Sequence, residues 1–140
     1  MIITFKYILI PLYMICVHLN GNSQNYIGMH KDEIIQVMKE TQKNCKLNTS
    51  TVNTHYNYLK FEDKISEITI LYFLSEEDSC TLVRKMCDYS NLNDVLTELN
   101  NTYTSIGTNL WEYKDQGNVY SVTLTEEDWF FTVTTRLKEE

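Results

Sequence analysis

Hydrophobic and polar positions along this chain keep two periods, one helical and one of strand type, and run through them twice in the same order. Over residues 30–43, Ile34, Val37, Met38 and Thr41 fall on one side of a helical wheel, with Lys31, Asp32, Lys39 and Lys43 opposite. That spacing predicts an amphipathic helix. Glu33 stands where a capping box wants its acid, but the cap position holds His30, a poorer capper than Ser, Thr, Asp or Asn. A second helix is predicted over 92–103, where Leu92, Val95, Leu96, Leu99 and Tyr103 make one apolar stripe behind a capping Asn91. Alternation at period two predicts strands at 52–61, 65–74 and 79–89, then at 109–114, 118–124 and 129–137. In the last of these, Trp129, Phe131, Val133 and Leu137 share one face, and Phe130, Thr132, Thr134 and Arg136 the other.

The two rounds match residue by residue. Ser75-Glu76-Glu77-Asp78 recurs as Thr125-Glu126-Glu127-Asp128 at an offset of 50, and Ile70, Tyr72, Leu74 and Val83 map onto Tyr120, Val122, Leu124 and Val133. Leu59-Lys60-Phe61-Glu62-Asp63 matches Trp111-Glu112-Tyr113-Lys114-Asp115 at 52, and Ile34, Ile35 and Met38 match Val95, Leu96 and Leu99 at 61. The offset changes only between elements, as insertions confined to loops require. The expectation is an α+β domain over residues 24–140. It consists of two αβββ repeats, about 28–89 and about 90–138, forming one antiparallel sheet with both helices on one face. Neither half could bury its sheet alone, so the copies should share a core.

The N-terminus adds a compartment. One Lys, an apolar run from Tyr7 to Val17 and a small-residue exit at Gly21 and Ser23 read as a signal peptide over residues 1–23, cut before Gln24. The run is short of the roughly 20 residues a spanning helix needs. The mature chain is then expected to be exported, periplasmic or secreted, with no membrane span. The alternative is an outer-membrane lipoprotein anchored at Cys16, although Tyr13-Met14-Ile15 is not the small-residue approach a lipidated cysteine wants.

Charge narrows the partners. The formal net charge is -7, and loss of residues 1–23 removes Lys6 and no acid, leaving -8. Nucleic acid is therefore not an expected partner, since phosphate binding needs a basic surface. In an oxidising compartment Cys45 could bridge to Cys80 or to Cys87, while Cys80 and Cys87, seven apart on one strand, should point to opposite faces. The bland reading of all three is small buried hydrophobes. Two glycosylation sequons, at Asn48 and Asn100, matter only in a eukaryotic secretory route.

No catalytic residue, metal site or cofactor is predicted. The chain has no nucleophile elbow, phosphate-cradling glycine loop or His-Glu-x-x-His pair. His30 and His55 have no ligand-spaced cysteine or carboxylate, and the two acidic tetrads lack the alternating spacing and Gly of a calcium loop. Aromatics are the enriched class, with ten Tyr, five Phe and two Trp. Most belong in a core. A sheet with helices on one side leaves its other face open, however, and Tyr56, Tyr58, Trp111, Tyr113 and Phe130 are the candidate binding aromatics.

Ile27-Gly28-Met29-His30-Lys31-Asp32-Glu33-Ile34 resembles the opening of outer-membrane assembly lipoproteins of the SmpA/BamE type, with His30 where that family has a capping Thr. Tandem copies of such a unit look like the fold of the β-lactamase inhibitory protein. The resemblance implies the αβββ repeat and a binding role, with no partner specified. The function expected is that of a non-enzymatic, exported protein that binds a protein or an envelope component through its sheet. Two alternatives stand beside it: a small-ligand binder or enzyme with a pocket between helices and sheet, lined by Tyr56, Tyr58 and Trp111, and an envelope-assembly lipoprotein anchored at Cys16.

Overall fold

Helix α1 spans Lys31–Thr41 and buries the two residues that head its apolar stripe, Ile34 and Met38. His30 caps it after all. Its Nδ1 accepts from the Asp32 N–H while its own N–H donates to Glu33 Oε2, so an imidazole nitrogen does the work of a capping hydroxyl. The computed structural model describes residues 25–50 and 55–139; the segment 1–23, with Cys16, lies outside them. Among the described residues no helix is long and apolar enough to cross a membrane.

The described residues also form an antiparallel sheet of eight strands: β1 (Lys46–Leu47), β2 (Tyr58–Asp63), β3 (Ile68–Leu74), β4 (Cys80–Cys87), β5 (Thr104–Gly107), β6 (Leu110–Asp115), β7 (Asn118–Glu126) and β8 (Phe131–Leu137). Helix α2 (Leu92–Thr102) follows β4, so the architecture is α+β. The strand order is β1-β2-β3-β4-β8-β7-β6-β5, which places the last strand beside the fourth. Six strands were expected. The two extra ones, β1 and β5, are the outer strands, and every residue of β5 is exposed, so neither carries an alternating signal.

Register sorts the side chains into two sets. Leu59, Tyr72, Val83, Thr135, Val122 and Trp111 stand opposite one another across six strands. Leu47, Phe61, Ile70, Lys85, Val133 and Leu124 form the next row. These rows carry the core. Ile34 and Met38 of α1 pack with Phe61, Tyr72 and Cys80, while Val95 and Leu99 of α2 pack with Trp111, Val122, Leu124, Phe131, Val133 and Cys87.

Several local expectations give way to turn chemistry. Asp63 Oδ1 accepts from the N–H groups of Ile65 and Ser66 at 2.9 and 3.2 Å, and Glu67 takes a positive φ of 54°, so the β2–β3 turn uses residues expected to open a strand. Trp129, expected on the last strand on one face with Phe131 and Val133, is 85% exposed in the turn before β8. Asn91 does not cap α2 with its side chain; it donates to the Ser66 carbonyl at 3.0 Å and so ties the helix start to the β2–β3 turn. Gln116 and Gly117 both have positive φ, the geometry of a two-residue hairpin whose twist suits its strands.

Cys80 and Cys87 lie on the same set, not on opposite faces. Leu74 pairs with Cys80 but Phe73 with Leu82, so a bulge at Thr81 inserts one residue and restores the phase. Both are buried, in separate core clusters, and Cys45, Cys80 and Cys87 are all free thiols.

Candidate functional site

Two regions hold side chains that the fold itself does not consume. The first is the second register set. Tyr58, Phe73 and Leu82 form one row on β2, β3 and β4, with Leu71 and Met86 beside them. All five are half-buried, and none belongs to either core cluster. The rings of Tyr58 and Phe73 are 6.0 Å apart, and the Arg84 guanidinium lies over Phe73 at 5.8 Å, a cation–π distance. Across the β4–β8 boundary the set turns polar: Thr132, Thr134 and Arg136 on β8, then Ser121, Thr123 and Thr125 on β7.

The second region is a cavity of about 250 Å³ over the middle of the sheet. Its walls come from both helices, through Met38 and Gln42 on one side and Val95, Glu98 and Leu99 on the other. Tyr26 and Ile27 contribute from the segment before α1. That segment is firmly tied. Gly28, at φ 88°, donates its N–H to the Cys80 carbonyl at 2.7 Å, and the Cys80 N–H donates to Met29 at 2.8 Å. Asn25 reaches the far strands, donating to Asp115 Oδ2 at 3.0 Å and accepting from the Tyr113 hydroxyl at 3.1 Å. The floor is Ile70, Val83, Lys85, Val133, Thr135 and Val122.

Burial sets the electrostatics. Desolvation raises the Tyr72 phenol well above its ordinary 10.0, and its hydroxyl donates to Met38 Sδ at 3.0 Å. The Tyr113 phenol is raised for the same reason, and burial pushes the Cys80 thiol from 9.0 up to about 11. A thiol so far from ionising is a poor nucleophile at neutral pH. Asp78, in the first acidic tetrad, is held below its usual range by the Lys31 ammonium and by Asn57, which donates to its Oδ1 at 2.7 Å. That tetrad is a tied hairpin turn, and among the described residues no group of three or more His, Cys, Asp or Glu could hold a metal ion.

The five aromatics singled out from sequence fall in different places. Trp111 is 3% exposed beneath α2, its Nε1 donating to Asn100 Oδ1 at 2.9 Å. Tyr113 is half-buried in a stack with Tyr103 and Tyr120, centroids 4.9 Å apart on each side, and it lines the cavity. Tyr58 belongs to the other register set. Tyr56 is 65% exposed ahead of β2, and Phe130 is half-buried just before β8. Neither Tyr56 nor Tyr58 lines the cavity, nor does Trp111. Alternation already sets Phe73 on the face opposite Tyr72, but sequence reasoning passed over Leu71, Leu82 and Met86, which share the Phe73 side. It also passed over Lys85 and Thr135.

No protein-family model, curated protein or solved structure matches this chain.

Proposed function

We propose that this chain is an exported, non-enzymatic binding protein that engages a protein partner of the cell envelope through one face of its sheet. The fold behind this reading is a pair of αβββ repeats, related by a twofold axis between β4 and β8, with both helices on one side. The matched positions support it. Ile34 and Met38 map onto Val95 and Leu99, the buried pair of each helix. The pairs Leu59–Tyr72 and Phe61–Ile70 map onto Trp111–Val122 and Tyr113–Tyr120, and all four are register partners. With the offset of 50, the pairs Val83–Thr135 and Lys85–Val133 exchange with each other, as a twofold axis demands.

The observation that carries the function is the patch of Tyr58, Leu71, Phe73, Leu82 and Met86, left out of both core clusters. A contiguous apolar and aromatic patch beside polar strands has the make-up of a protein interface: aromatics, Met and an Arg at its centre, threonines at its edge. The -7 charge and the leader-like N-terminus support an envelope protein rather than a nucleic-acid binder. The lipoprotein alternative is tested separately, by the mass of the mature N-terminus.

The deciding experiment immobilises the purified mature chain and exposes it to envelope extract of its native host. A saturable partner should be retained by the wild type and lost with Leu82→Asp and Phe73→Asp, while circular dichroism of the variants stays native. Equal retention by those variants, or no retained protein at all, sinks the reading.

A further inference from the structure

We propose that the cavity between α1 and α2 is a binding site for a small amphipathic monocarboxylate, its apolar body lying between the helices and its carboxylate held by Lys85. This goes beyond the partner surface, which uses the other register set, and does not depend on it.

Three observations carry the inference. The first is the cavity itself, a cleft of about 250 Å³ partly open to solvent between the helices and the sheet, which has room for a small ligand. At about 30 Å³ per water-sized group, it would take a molecule of roughly eight to ten non-hydrogen atoms. Its walls are mostly apolar, with Met38, Val95 and Leu99 above and Ile70, Val83 and Val133 below.

The second is Lys85 itself. It is a half-buried cation on the core-bearing rows, placed in register between Ile70 and Val133, where every neighbouring β4 residue of its set, Cys80, Val83 and Cys87, is apolar. The stem of such a Lys packs on its apolar neighbours, and its ammonium is left to find a polar partner at the cavity. It takes part in none of the four ion pairs among the described residues. Two acids also line the cavity. Asp63 spends its Oδ1 on the Ile65 and Ser66 N–H groups, and Glu98 sits on the exposed side of α2. Two carboxylates on the lining disfavour any further negative charge, so the ligand carries a single one, placed at Lys85 and away from Asp63 and Glu98.

The third is placement. Thr135 stands diagonally from Lys85 across the β4–β8 boundary, with Val83 and Val133 at the other corners. The floor thus offers one ammonium and one hydroxyl in an otherwise apolar square, the sparse polar set of a small-molecule site. A carboxylate accepting from both is fixed at one end and leaves its hydrocarbon against Met38 and Leu99.

The probe is octanoate, tested against octanol, by calorimetry on the whole mature chain with methyl NMR to locate the ligand. Octanoate should bind with a dissociation constant between about ten micromolar and one millimolar, shifting the Ile70, Val133 and Leu99 methyls. Octanol should bind about tenfold more weakly or worse, and Lys85→Met should weaken octanoate by a similar factor while leaving octanol unchanged. No octanoate binding at about 10 mM, shifts confined to Leu71 and Leu82, or octanol binding as tightly as octanoate would overturn the proposal. Should Lys85→Met fail to fold, the octanoate–octanol comparison on the wild type decides it alone.

Discussion

Arg84 on β4 donates from Nε to Thr134 Oγ1 on β8 at 3.4 Å; the two are direct register partners and lie 50 positions apart in the chain. The bond sits on the boundary where the two strand groups meet, and the proposed repeat maps Arg84 onto its own partner. The boundary is polar on the Arg84 side. On the other side Lys85, Val133, Val83 and Thr135 meet beneath the cavity. One pair of strands therefore joins two half-cores and divides two candidate binding surfaces.

If the halves share one folding unit, damage in the first must be felt in the second. Met38 is 1% exposed and accepts from the Tyr72 hydroxyl, whereas Trp111 and Trp129 both lie in the later half. Met38→Ala should cost about 2–4 kcal/mol and shift the tryptophan-detected urea transition by the same amount as the transition seen by circular dichroism. Separation of the two curves would show halves that unfold independently.

The indole of Trp111 depends on one acceptor, Asn100 Oδ1, at 2.9 Å. Asn100→Leu should leave a buried N–H unpaired and destabilise by about 1–3 kcal/mol.

An alkaline limit to stability follows from the buried thiol. Burial raises Cys80 from 9.0 to about 11, so the unfolded chain releases its proton first. The associated stability is complete below pH 9 and falls as pH rises toward 11, an effect on the order of 2 kcal/mol. Tyr72 and Tyr113, raised by burial as well, extend the fall. Urea midpoints at pH 8 and 10.5 should differ less in Cys80→Ala than in the wild type; an unchanged difference would remove Cys80 as a cause.

Helix α1 should tolerate a better cap. His30→Thr keeps an acceptor for the Asp32 N–H and leaves the His30–Glu33 backbone bond in place, so stability should change by under about 1 kcal/mol, whereas Glu33→Ala should lose about 0.5–1 kcal/mol. Thermal melts of the two variants distinguish a functioning capping box from an incidental contact.

Short-range physics was legible in the chain. A 3.6-residue period picked out Ile34, Met38, Val95 and Leu99, all now buried, and a period of two picked out Phe61, Tyr72, Trp111 and Val122. Such periods arise from local backbone geometry meeting one apolar surface, so they are written in neighbouring residues. Only the tertiary structure decided the rest. The bulge at Thr81, which puts Cys80 and Cys87 on one face, exists because β4 must stay in phase with β3. Trp129 lies outside the strand expected to hold it, in the turn before β8. The meeting of Lys85, Thr135 and Glu98 at one cavity depends on strand order and on where each helix lies across the sheet. No local pattern encodes that meeting, since the contacts that create it join residues far apart in the chain, and their geometry is set by how the whole core packs.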